Sequence, residues 1–197
     1  MKQRLRAHSA SRPGSSGVTH PAEQSGAYVH TFQAREVVSV HPGKLFEYLD
    51  DPRHLRFLVP LGPSISSGGA ASCALDEQQG HGVGARVRRE GNFLGSEVAV
   101  NEEVEFYAPP RRKVWRTVEG PRPFFIGSYR MGFEVDPLPV GSDLCVFIDW
   151  NPVPNRFHRL LDWFSERCAR RVVKSILLSA RRRFAQDVRA AYGLGPG

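Results

Sequence analysis

The 197-residue sequence is poor in cysteine, and Cys73, Cys145 and Cys168 are its only thiols. Three scattered cysteines cannot build a disulfide framework. None stands in a Cys-x-x-Cys pair, which argues against a structural zinc site. The seven histidines are dispersed, with no His-x-x-x-His pair and no His/carboxylate cluster, so no metal is expected and no cofactor is suggested. No serine sits in Gly-x-Ser-x-Gly, the usual hydrolase elbow. Gly80-His81-Gly82-Val83-Gly84 is glycine-rich, but a strand pattern rather than a helix follows it, so it reads as a turn and not a nucleotide loop. No apolar run approaches the ~20 residues of a membrane span, and Met1 to Gly17 has charges without the apolar centre of a secretory signal. The expectation is a soluble, cytoplasmic chain, with peripheral contact at a membrane left open.

What is present suits one domain with a substantial core. Aromatic residues make up 10% of the chain and include 12 phenylalanines. The formal net charge of +7 is unevenly spread. Residues 155–192 carry ten Lys/Arg against three Asp/Glu, and the first 28 carry four against one. The stretch between them is mildly acidic, with thirteen against sixteen. A basic helix face can meet phosphate, an anionic membrane or an acidic partner, and the plainer reading is a solvated surface.

Met1 to Ala27 is rich in Ser, Gly, Pro and His and has too little to bury, so it reads as a disordered tail before a domain over 28–192. Tyr28 to Val40 alternates as a first strand. His41-Pro42-Gly43 stops it, and two short helical pieces follow, Lys44 to Asp50 and Pro52 to Leu58. A strand between Ile65 and Leu75 is weakly indicated. Ala85 to Glu90 alternates up to a turn at Gly91-Asn92. In the next strand Val98, Val100, Val104 and Phe106 share one face, with Glu97, Asn101, Glu103 and Glu105 on the other. Lys113 to Val118, then Phe125 to Val135, then Leu144 to Trp150 complete an antiparallel meander with short connections. From Asn155 to Tyr192 the spacing is helical. Its early apolar set (Phe157, Leu160, Leu161, Phe164, Cys168) and later set (Val172, Val173, Ile176, Ala180, Phe184, Val188) face different ways. That offset predicts a short helix ending near Arg167, a break, and a long helix from about Ala169.

Strand, two short helices, antiparallel strands and one long C-terminal helix is an α+β, helix-grip order. Val38-Ser39-Val40-His41-Pro42-Gly43-Lys44-Leu45-Phe46-Glu47-Tyr48-Leu49-Asp50-Asp51 resembles the opening of START-like (SRPBCC, polyketide cyclase/dehydrase and lipid-transport) domains. Gly82-Val83-Gly84-Ala85, Glu102-Glu103-Val104, Pro109-Pro110-Arg111 and Val114-Trp115 are similar to later parts of that family, and the resemblance covers roughly Tyr28 to Val188. It implies a curved sheet wrapped around the long helix, with an apolar cavity between them for a lipid, quinone or polyketide-like molecule.

On that geometry Trp115, Phe125, Tyr129, Met131, Phe133 and Trp150 from the strands, with Val173, Ile176 and Ala180 from the helix, would line the chamber. Plain core packing is the alternative for all of them. A cyclase or dehydratase would need a positioned acid/base. Tyr129 is the weak catalytic candidate, His30 and Asp149 weaker ones, and a non-catalytic binding protein is the preferred expectation. A third reading makes the basic helices a docking module for membrane or ribonucleoprotein. Arg181, Arg182 and Arg183 are its candidates for an anionic membrane surface or an acidic partner, and no specific DNA binding is expected.

Overall fold

A computed structural model describes residues 28–55, 72–93, 96–118, 127–152 and 158–191. The N-terminal tail, Phe125, Phe157 and the weak region between Ile65 and Ala71 lie outside the described residues. Among the described residues the elements in chain order are β1 (His30–Val38), α1 (Pro42–Asp50), β2 (Ser72–Leu75), β3 (Arg86–Phe93), β4 (Ser96–Ala108), β5 (Arg112–Thr117), β6 (Tyr129–Pro137), β7 (Ser142–Trp150) and α2 (His158–Ala191).

The strands form one antiparallel sheet in the order β1-β7-β6-β5-β4-β3-β2. The chain thus runs β2 to β7 as a meander, while β1 pairs with β7, its His30 opposite Trp150. Crossing from β1 to the far edge requires a connection over one face, and α1 begins it. His41 caps α1 by accepting the Gly43 N–H on Nδ1 at 3.2 Å, and Pro42 sits at the first helical position, where no N–H is needed. The second short helical piece opens as a tight turn, with Leu55 N–H donating to Pro52 O at 3.2 Å. Residues 56–58 lie outside the described part.

Alternation sets the concave face. Tyr129, Met131, Phe133 and Val135 of β6 and Leu144, Val146, Ile148 and Trp150 of β7 are buried there. They pack on α2 through Ala169, Val172, Val173, Ile176, Leu177, Ala180 and Phe184, a recurrence of three and four that makes one apolar stripe. This is a helix grip.

Three details differ from the sequence reading. Helix α2 is continuous for 34 residues with no break at Arg167. No Gly or Pro interrupts it, and of the early apolar set Phe164 and Cys168 are only half-buried, at the edge of the core. Gly91 and Asn92 lie within β3, which pairs with β4 out to Phe93 opposite Ser96. Finally, a register shift in β4 between Val104 and Phe106 turns Phe106 out to solvent and Tyr107 in, so Phe106 leaves the face it was assigned. Such a bulge reverses the side-chain alternation beyond it.

Candidate functional site

Eight of the nine candidate lining residues meet in one buried cluster. Trp115, Tyr129, Met131, Phe133, Trp150, Val173, Ile176 and Ala180 all belong to it, and Phe125 lies outside the described residues. Trp115 meets Phe133 edge-on at 6.2 Å between ring centres. The Trp150 indole N–H donates to Ser165 Oγ of α2 at 3.2 Å. His30 stacks on Trp150 at 5.2 Å and is only half-buried. Asp149 sits on the outer face, accepting from Thr31 Oγ1 at 2.7 Å.

The concave face is apolar only over its α2-covered half. Further along, β3, β4 and β5 send charged side chains inward among their apolar neighbours. Arg89 follows Val87, Glu102 stands between Val100 and Val104, and Lys113 precedes Trp115, each on the buried parity. Arg89, Glu102 and Lys113 are all less than 5% exposed, and Asp50 at the end of α1 is 6% exposed. Ions this deep must be paired and hydrogen-bonded to persist, and each has its partner. Arg89 Nε donates to Glu102 Oε2 at 2.8 Å, and its Nη1 donates to the Pro52 and Leu55 carbonyls at 2.9 and 3.3 Å. The Tyr129 hydroxyl donates to Glu102 Oε1. Lys113 Nζ donates to Asp50 Oδ1 at 2.6 Å and to its backbone oxygen at 2.9 Å. Asp50 Oδ2 accepts from the Tyr107 hydroxyl at 2.7 Å and meets His81 Nδ1 at 2.8 Å.

The glycine run at 80–84 now has a structural role. Gly80, Gly82 and Gly84 all adopt positive φ, conformations that residues with a Cβ rarely hold, and the coil they form delivers His81 to Asp50. The inward Tyr107 reaches the same carboxylate because of the β4 bulge.

Burial, and then the Glu102 charge, drive the Tyr129 phenol well above its ordinary range. Tyr129 is therefore a neutral donor near neutral pH. A phenol that stays protonated has no base form to offer and is a poor general acid, because proton-transfer catalysis wants a pKa near the working pH. Burial draws Lys113 below the usual lysine range against the pull of Asp50. For Arg89, burial acts downward, and the Glu102 charge and hydrogen bond outweigh it and hold the guanidinium up.

Between the two ion pairs lies a void of about 10 Å³, close to the space one water fills. Pro52, Leu55, Val87, Val104 and Trp115 line it together with Arg89, Glu102 and Lys113. It lies under the turn that follows α1, whereas the sheet–α2 seam, where the chamber was expected, is packed by the cluster described above. Two of its lining residues carry donors with capacity to spare. Among the described residues the buried Trp115 Nε1 has no hydrogen-bond partner, and Lys113 Nζ spends two of its three N–H groups on Asp50. Both carboxylates are already engaged. The void therefore suits an acceptor oxygen. The four buried charges cancel (Arg89 and Lys113 against Asp50 and Glu102), so a neutral acceptor suits it better than an anion, which would add an unpaired charge. Among the described residues no cluster of His, Cys, Asp and Glu could hold a metal ion.

Sequence reasoning passed over Arg89, Glu102, Lys113 and Asp50. The signal for the first three was a charged residue at the apolar parity of a strand, and β4 was read without placing Glu102 on either face. Of the three helix arginines, Arg181 and Arg182 point outward and Arg183 is exposed on another side of α2, over the Phe184 ring at 5.9 Å. No described helix is long and apolar enough to cross a membrane.

The chain matches the sequence profile of the family described as polyketide cyclase / dehydrase and lipid transport over residues 29–189. Among solved structures, the Zhui aromatase/cyclase from Streptomyces sp. R1128 superposes with a TM-score of 0.63 at 15% identity, covering 82% of this chain and 97% of its own. TTHA0849 from Thermus thermophilus gives 0.60 at 16% identity, covering 80% and 99%. The di-domain ARO/CYC StfQ from the steffimycin biosynthetic pathway gives 0.61 at 14% identity, covering 81% of this chain and 52% of its own. Identities this low establish a shared fold. No curated protein sequence matches the chain.

Proposed function

The chain belongs to the polyketide cyclase / dehydrase and lipid transport family, and from that membership we propose that it binds a hydrophobic small molecule carrying a neutral acceptor oxygen, a carbonyl above all. The observation that carries this reading is the buried, unpartnered Trp115 N–H on the wall of the void between the two ion pairs. The oxygen takes the Trp115 Nε1 donor and the third N–H of Lys113, whose Nζ also lies 5.7 Å from the centre of the Tyr107 ring. The apolar body lies against Trp115, Leu55, Val87 and Val104. Tyr129 acts through Glu102, which it holds in place for Arg89. Met131, Phe133, Trp150, Val173, Ile176 and Ala180 form the packed wall behind.

A ring system does not fit in about 10 Å³, so its admission displaces the Pro52–Leu55 turn from Arg89. Burying roughly 300 Å² of apolar ligand yields a gross ~7 kcal/mol. Exchanging the Arg89 contacts to Pro52 O and Leu55 O takes back about 2 kcal/mol. The ligand's lost translational and rotational freedom lowers the net further. The reading is one of binding and carriage. The neutral, Glu102-bound Tyr129 favours it over proton transfer, although the Zhui protein and StfQ bear aromatase/cyclase names. A carrier of apolar molecules loads from a lipid phase, and Arg181 and Arg182 lie on the helix face that would meet an anionic one.

The test uses three naphthalene probes read by thermal shift and by titration of tryptophan emission. 2-Acetylnaphthalene should bind saturably, naphthalene several-fold more weakly for want of an acceptor, and 2-naphthoate more weakly than the ketone because it carries a charge. Trp115→Phe should remove the preference for the ketone over naphthalene. Equal affinity for all three in the native chain, or no saturable binding, overturns the proposal.

A further inference from the structure

We infer that the outward face of α2 docks on an anionic phospholipid bilayer, independently of whether the sheet takes a ligand. Residues of a helix advance about 100° each. On that rotation Arg167, Arg170, Arg171, Lys174, Arg181 and Arg182 fall within one stripe roughly 120° wide, and all six are exposed. The opposite face, from Ser165 to Phe184, is buried against the sheet, so the stripe cannot turn inward. Trp163 and Leu178 lie on the same stripe, 60% and 46% exposed. From Trp163 to Arg182 it runs about 29 Å, nineteen steps of 1.5 Å.

Three of the six cations are occupied. Arg170 is held by Glu166 at 2.7 Å, Arg181 reaches Glu36 at 3.2 Å, and Arg167 lies over the Trp163 ring at 5.8 Å. Arg171, Lys174 and Arg182 have no carboxylate partner among the described residues. The positive charge is also one-sided, since residues 29–154 carry thirteen basic and sixteen acidic side chains. A basic ridge beside a stretch, residues 29–154, with an acidic balance fits an anionic plane, which it would approach ridge first.

The apolar pair decides between polyanions. An indole ring with a polar edge settles at headgroup depth in a bilayer, and an exposed leucine beside it gains from the acyl boundary. A phosphodiester chain rewards the cations but offers nothing to Leu178.

The experiment is vesicle flotation of the full chain at low salt, with phosphatidylcholine alone or mixed with phosphatidylglycerol. Binding is expected only to the anionic vesicles and should fall away at high salt. Each basic residue near such a surface is worth about fivefold in affinity, so the triple variant Arg171→Gln, Lys174→Gln, Arg182→Gln should bind about a hundredfold more weakly while melting at the same temperature. Trp115 and Trp150 are buried, so a blue shift of emission on docking should come from Trp163 and vanish in Trp163→Phe. Absence of binding to the anionic vesicles, undiminished binding of the triple variant, or an unmoved Trp163 signal overturns the inference. So does binding to polyuridylate RNA that the triple variant loses while vesicles are ignored.

Discussion

Replacing Glu102 by leucine isolates what the buried network contributes. The carboxylate is 2% exposed and its partner Arg89 is 4% exposed, so Glu102→Leu strands a guanidinium away from bulk water. Breaking a buried pair by removing one member costs roughly 3–5 kcal/mol. The Tyr129 hydroxyl also loses its acceptor, a penalty of about 1–3 kcal/mol for a buried donor. The two losses share one cavity and do not add in full, so about 4 kcal/mol is expected in total. At roughly 3 °C per kcal/mol for a domain of this size, the melting temperature should fall by about 12 °C. The double variant Arg89→Met, Glu102→Leu removes both charges and retains the volume. It should recover about 2–3 kcal/mol relative to the single variant, because an apolar pair replaces the stranded ion. Urea unfolding followed by tryptophan emission measures both, provided the slope with urea stays constant. A single variant losing less than about 1 kcal/mol would mean that Arg89 finds water, and a double variant no better than the single would mean that the pair is not what holds the site.

Two further predictions concern neighbours of that network. A Cβ on Gly132 would lie 2.6 Å from the Lys113 carbonyl oxygen and 2.8 Å from the Phe147 ring, so Gly132→Ala should destabilise by about 2 kcal/mol through overpacking, and an unchanged urea midpoint would contradict the β5–β6 contact. Burial and then Asp50 push the Tyr107 phenol up to about 12 from 10.0; the folded state keeps a proton the unfolded chain releases, so this contribution is intact below about pH 10 and lost as pH rises toward 12. Tyr129 acts with the same sign. Lys113 acts oppositely, since the cost of keeping it charged is relieved as pH rises through its lowered value. Tyr107→Phe should therefore flatten, without abolishing, the alkaline fall in melting temperature, and an equal slope in the two proteins would contradict the assignment.

Much of the frame was legible because period-2 and period-3.6 patterns report burial directly. The concave parity of β6 and β7, from Tyr129 to Val135 and from Leu144 to Trp150, could be read residue by residue. The break expected in α2 was a misreading of cause. An apolar face that changes direction needs a break only if every apolar residue must be fully buried, and Phe164 and Cys168 are only half-buried. Phe106 was misplaced because a bulge leaves no mark in an alternating string. The polar site was half legible. Glu102 between Val100 and Val104 is visible in sequence as a charge on a buried face, but its partners are not. Asp50 and Lys113 are 63 residues apart, and the antiparallel sheet with α1 folded over it brings them together. The aromatic wall could not be divided into core and binding surface, since both demand the same residues.

The most direct test of the account is the indole region of a ¹⁵N–¹H correlation spectrum during titration with 2-acetylnaphthalene. The chain has three tryptophans, of which Trp150 already donates to Ser165 and Trp163 is solvent-exposed. The Trp115 Nε1–H resonance should move downfield with saturation and exchange more slowly with water, while the Trp150 resonance stays in place. Saturation with movement of Trp163 alone, or with no indole moving, would contradict the claim that Trp115 holds the ligand's oxygen.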